Sequence, residues 1–60
     1  MNQALYEFLK AFDDDTLSEG AHQAIIMEGV EAFNELHNTG YDAFDTWLAY
    51  IKRKYKMFAK

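Results

Sequence analysis

No cysteine occurs anywhere in this chain of sixty residues, and that absence sets the terms for what it can fold into. Neither a disulfide nor a thiolate metal site can staple the fold, which are the usual reinforcements of very small proteins. A domain of this size buries only about 60% of the surface its unfolded chain exposes, against an ordering cost of roughly 1.5 kcal/mol per residue. Stability must come from packing, either within the chain or against a partner. One Val and three Ile, with no alternating β-branched run bounded by turns, argue against a sheet.

The apolar residues recur at helical spacing. Leu5, Phe8, Leu9 and Phe12 stand at i, i+3, i+4 and i+7, which predicts a helix over about 2–12. Asp13, Asp14 and Asp15 follow, and negative charge is unfavourable at a helix C-terminus, so the helix stops there in a turn. Thr16 and Glu19 have the spacing of a capping box and predict a second helix over about 17–38. Its stripe is Ile25, Ile26, Val30, Phe33 and Leu36, with Gly29 on the same side where another helix can approach closely; a kink at Gly29 is the alternative. Asn38-Thr39-Gly40 closes this helix, with Gly40 as the left-handed residue and Leu36 expected against Tyr41. Asp42 caps a third helix over about 42–59, with Asp45 in its first turn and Lys52, Arg53, Lys54, Lys56 and Lys60 toward its other end. The expected fold is all-α, a compact three-helix arrangement forming one domain over residues 1–60. The alternative is a hairpin of the second and third helices that pairs with a second protomer, with the first helix as a brace.

Charge is distributed unevenly. Residues 1–50 hold all ten acids and one base, Lys10, whereas the last ten residues hold five bases and no acid, so a net charge of −4 conceals an acidic body and a basic end. Apolar runs such as Ala24–Met27 and Leu48–Ile51 are far shorter than the roughly 20 residues that span a bilayer. Glu7 and Lys10 interrupt the apolar stretch a secretory signal requires, so the expected location is cytoplasmic.

The third helix is over-supplied with apolar residues. Tyr41, Phe44, Leu48, Ile51, Tyr55 and Phe58 make a stripe sufficient for a core, and Ala43, Trp47, Tyr50 and Met57 form a second row beside it with Lys54 among them. This second row is the candidate contact surface, since Trp, Tyr and Met are enriched in interface centres and a Lys stem can lie along aromatics with its charge in water. A homodimer packed through the third helix would bury it by self-complementarity.

Spacings that carry chemistry fail one by one. Ser18 and His22 lack the Gly-x-Ser-x-Gly turn of a hydrolase nucleophile. His22 and His37 are separated by about 22 Å along one helix and cannot share a metal. Glu19 and His22 have the Glu-x-x-His spacing of di-metal bundles, but a capping residue followed by a helical His gives the same letters. Counted from Asp13, an EF-hand would need Gly and Glu where Ser18 and Ala24 stand. Gly20, Gly29 and Gly40 are isolated and make no phosphate loop. A helix-turn-helix would present Asp42 and Asp45 to the DNA backbone.

No catalytic residue, metal site or cofactor is therefore assigned. The expected function is a non-enzymatic protein-interaction module, a small acidic regulator or inhibitor that self-associates and occupies a partner's surface. Trp47, Tyr50, Lys54 and Met57 would be its contacts, and Asp13, Asp14 and Asp15 would steer it toward a basic partner, in a special case by mimicking nucleic-acid charge. The alternative is a nucleic-acid backbone binder acting through Lys52, Arg53, Lys54, Lys56 and Lys60, with Tyr50 and Tyr55 available for stacking. A membrane surface is not an expected partner, because the apolar face is needed for the core.

Overall fold

The computed structural model describes residues 1–56. Three helices follow in order, α1 (Gln3–Phe12), α2 (Glu19–His37) and α3 (Ala43–Lys54), with no strand among the described residues. The architecture is the expected all-α one, and α2 is its middle element, packing against both α1 and α3. Among the described residues no helix is long and apolar enough to cross a membrane.

Each helix starts on a side-chain oxygen that satisfies an otherwise unpaired N–H. Asn2 Oδ1 accepts from the Leu5 N–H at 3.2 Å, Ser18 Oγ from Ala21 at 3.4 Å, and Asp42 Oδ1 from Asp45 at 2.8 Å. The cap of α2 is thus Ser18 and not Thr16. The Thr16 hydroxyl and N–H both donate to Asp14 Oδ1, at 2.6 and 3.0 Å, so the preceding carboxylate captures the group a capping box would have used.

The end of α2 also departs from expectation. The left-handed residue is Asn38, at φ 54° and ψ 47°, and no glycine has positive φ. Asn tolerates this region because its short polar side chain can bond locally. The Thr39 N–H reaches the Asn34 carbonyl at 3.0 Å, so the Schellman-type closure forms two residues earlier than a Gly40 turn would. Leu36 consequently points into water at 68% exposure, and Tyr41 packs on Phe33 instead, with ring centroids 6.0 Å apart.

The core consists of Leu5 and Leu9 from α1, Ile26, Val30 and Phe33 from α2, and Trp47 and Tyr50 from α3. Each such side chain contributes about 1.5–3 kcal/mol by leaving water. Gly29 lies where α1 crosses α2, as its position on the stripe predicts: a Cβ there would stand 2.9 Å from Leu9 Cδ2 and 3.2 Å from Phe12 Cγ. The helix runs unbroken through it.

α3 is rotated from the expected orientation. Trp47 is 8% exposed and Tyr50 0%, whereas Phe44 at 50% and Leu48 at 43%, with Tyr55, lie outside. Ile51 and Tyr41 are half-buried. Of the row read as surplus, Trp47 and Tyr50 are in the core, and of the stripe read as core, Phe44, Leu48 and Tyr55 lie outside it. Tyr41 precedes the cap of α3 and the helix ends at Lys54 with Tyr55 as its C-cap, short of the expected 59, so neither Tyr41 nor Tyr55 lies within the helix. Tyr50 also has a polar tip that needs a buried partner, which only the inward side offers. Residues 57–60, and with them the expectations for Met57, Phe58 and Lys60, lie outside the described residues.

Candidate functional site

Two features compete as a site: a polar cluster where the three helices meet, and the outer row of α3. The cluster is built on Asp13, the first residue after α1. Asp13 stands four residues after Leu9, so its side chain continues the core side of α1 inward. Its Oδ1 lies 2.5 Å from His22 Nε2 on α2, and its Oδ2 accepts from the Tyr50 hydroxyl and the Lys54 Nζ of α3, each at 2.5 Å. Lys54 Nζ also donates to Asp15 Oδ1 at 2.9 Å. The His22 ring meets Trp47 edge-on, with centroids 5.4 Å apart.

Burial by itself would raise the Asp13 carboxyl, but hydrogen bonds from Lys54, Tyr50 and His22 outweigh it and hold the group at about 2. Burial, followed by the bond to Asp13 and its negative charge, pushes the Tyr50 phenol well above its usual range. Burial would lower Lys54, but its bonds to Asp13 and Asp15 raise it above the ordinary ammonium value. Asp14 is lowered by the Thr16 hydroxyl and N–H that it accepts. A carboxylate this acidic and a phenol this reluctant to ionise are tuned away from proton transfer near neutral pH. Asp13, Asp15 and His22 offer three ligand atoms within 4.8 Å of one another. The ammonium of Lys54 bonds both carboxylates, supplying positive charge where a cation would otherwise sit. The cluster is a clasp joining three helices.

The expected site residues are redistributed accordingly. Lys54 does not hold its charge in water along an aromatic row, because its ammonium is bonded into the clasp. Asp13 is likewise turned inward and cannot steer a partner; Asp14 and Asp15 are exposed, but Asp14 holds Thr16 and Asp15 accepts from Lys54. Trp47 and Tyr50 are interior and cannot be surface anchors. At the basic end, the Arg53 guanidinium stacks 4.1 Å from the Tyr6 ring centroid and donates to Gln3 Oε1. Of the proposed phosphate clamp, Lys52 and Lys56 are the exposed members among the described residues, and Tyr50 lies under Tyr6 where no base can stack on it.

The outer row is the remaining apolar surface. Phe44 and Leu48 are one turn apart, Ile51 forms their edge, and exposed Leu17 lies beyond. A groove of about 290 Å³ opens between Leu17, Trp47 and Ile51, with Asp15, Glu19 and His22 along it.

One further organiser was not anticipated. The Asn34 side chain donates to the Tyr41 carbonyl at 2.8 Å and accepts from the Tyr41 N–H and the Thr39 hydroxyl, both at 2.9 Å. It latches the turn between α2 and α3 as a strand would pair a neighbour. A polar residue beside Phe33 just before an Asn-Thr-Gly turn was the available signal.

Compared with protein-family models, curated proteins and solved structures, the chain matches none.

Proposed function

We propose that this chain is a non-enzymatic protein-interaction module, a small acidic regulator acting in the cytoplasm that works by laying the outer row of α3 against another protein surface. The observation that carries this reading is the position of Phe44 and Leu48. With Trp47 and Tyr50 filling the interior, these two side chains have no place in the core and stand in water one turn apart. Isolated exposed apolar residues are ordinary, but an aligned Phe and Leu edged by Ile51 and continued by Leu17 is the kind of patch that marks contact surfaces. The clasp supports the same reading from the other side, because its acid and base groups satisfy one another and leave none poised for chemistry. Nucleic-acid backbone binding is less well supported, since Arg53 and Lys54 are engaged within the fold.

The test is a benzophenone side chain placed at Phe44 in the expressing cell, with Ala11 on the exposed side of α1 as the control position. Illumination should give a discrete covalent adduct from position 44 and none from 11, and Leu48→Glu should remove that adduct while the circular dichroism stays helical. An absence of adduct at position 44 rejects the outer row as a contact surface.

A further inference from the structure

The outer row has charges arranged about a centre. Asp45 and Lys52 are seven residues apart, which places them about 20° from one another around the helix and on the same flank of the row. Leu48 stands between them. Both charged side chains are exposed, and neither has a hydrogen-bond or ion-pair partner through its side chain among the described residues. Exposed Asp42 and Lys56 continue the same order outward, acid toward the start of the helix and base toward its end. The neighbouring cations differ: Arg53 is stacked on Tyr6 and Lys54 is bonded to Asp13, so the bases turned away from the body are Lys52 and Lys56.

A helix with an acid before and a base after an apolar midpoint is complementary to itself when run antiparallel. A two-fold axis beside Leu48 keeps each flank on its own side and reverses its order, so Asp45 of one copy meets Lys52 of the other, and the contact repeats by symmetry. The same operation places Leu48 near Leu48 and Phe44 over the Ile51 edge. A parallel two-fold would carry this flank to opposite sides of the contact in the two copies, so Asp45 and Lys52 could not pair. Resting on the reading of this row as a contact surface, we infer that its occupant is a second copy of the chain, packed α3 against α3 in antiparallel register. Twelve residues make a contact only about 18 Å long, which sets the pairing among small, weak and reversible interfaces.

The experiment is sedimentation equilibrium of the full chain from about 10 µM to about 1 mM, a range suited to a small interface. The mass should rise from 7.0 kDa toward twice that value. Asp45→Lys and Lys52→Asp should each weaken association about tenfold, and the double exchange should restore it, as expected for two symmetry-related exposed ion pairs. Lys52→Asp leaves the first turn of α3 intact, so its effect is separable from any loss of helix in Asp45→Lys. A chain that stays monomeric throughout, or a dimer indifferent to the single exchanges or not restored by the double one, overturns the antiparallel pairing. If the monomeric chain still gives an adduct of another mass from position 44, the contact surface stands and only its occupant changes. Without that adduct both readings fail together.

Discussion

The two joints of this molecule are held in opposite ways. Between α1 and α2, and reaching to α3, the joint is ionic: one carboxylate, Asp13, receives His22, Tyr50 and Lys54. Between α2 and α3 it is neutral: one carboxamide, Asn34, pairs with the backbone of Tyr41 and the hydroxyl of Thr39. The ionic joint concentrates three elements on a single side chain and is sensitive to protonation. The neutral joint spans one short turn and has no titrating group. A fold with so small an interior thus places its polar reinforcement at the connections, where the chain changes direction.

The sharpest way to break the contrast is Asp13→Ala, which removes the partner of the buried Tyr50 hydroxyl and of the buried His22 ring and leaves the half-buried Lys54 ammonium with Asp15 alone. It should cost about 3–5 kcal/mol, enough to unfold much of a domain this small, as read by urea denaturation. Acid titration comes next. The Asp13 carboxyl is held at about 2 against an ordinary 3.8, so its contribution is complete above that ordinary value and is lost as pH falls through about 2. This limb should amount to about 2 kcal/mol and be absent in Asp13→Asn. Asn34→Ala should cost about 1–2 kcal/mol by leaving the Tyr41 backbone groups unpaired, and that loss should be the same at pH 3 and pH 7. A pH-dependent loss would show that the two joints are coupled.

Tyr50→Phe should have the smallest effect, about 1 kcal/mol at neutral pH. Its phenol is raised from 10.0 in the fold, so its contribution is complete below that value and declines as pH rises above it. The Phe variant should therefore lose part of the alkaline limb. The remainder belongs to Lys54, which is raised from 10.5 and carries the same sign.

Helix number, order and most boundaries were legible because they depend on local spacing. Leu5 and Leu9, the Gly29 crossing, the Asp42 cap and the stop at Asp13 all follow from residues within a turn or two of one another. The caps that were misplaced, Thr16 and Gly40, lost to nearer competitors in Asp14 and Asn38. The face of α3 was not legible, because its apolar sector is wide enough to bury either half. The choice was made by Asp13, distant in sequence, which accepts the tips of Tyr50 and Lys54. The spacing of Trp47, Tyr50 and Lys54 at i, i+3 and i+7 marks one side of a helix ending in a cation, and it gains meaning only once a buried anion is known to lie opposite.

The clasp joins residues 9, 37 and 41 positions apart in the chain. Closing loops of the longer kind is entropically slow to begin, whereas the α1–α2 hairpin assembles from near neighbours. The Asp13 contacts should thus form after the rate-limiting barrier and act as a brake on opening. Stopped-flow chevrons of Asp13→Asn should then show a steeply faster unfolding arm over an almost unmoved refolding arm, so the clasp governs how long each folded molecule lasts more than how quickly it arises.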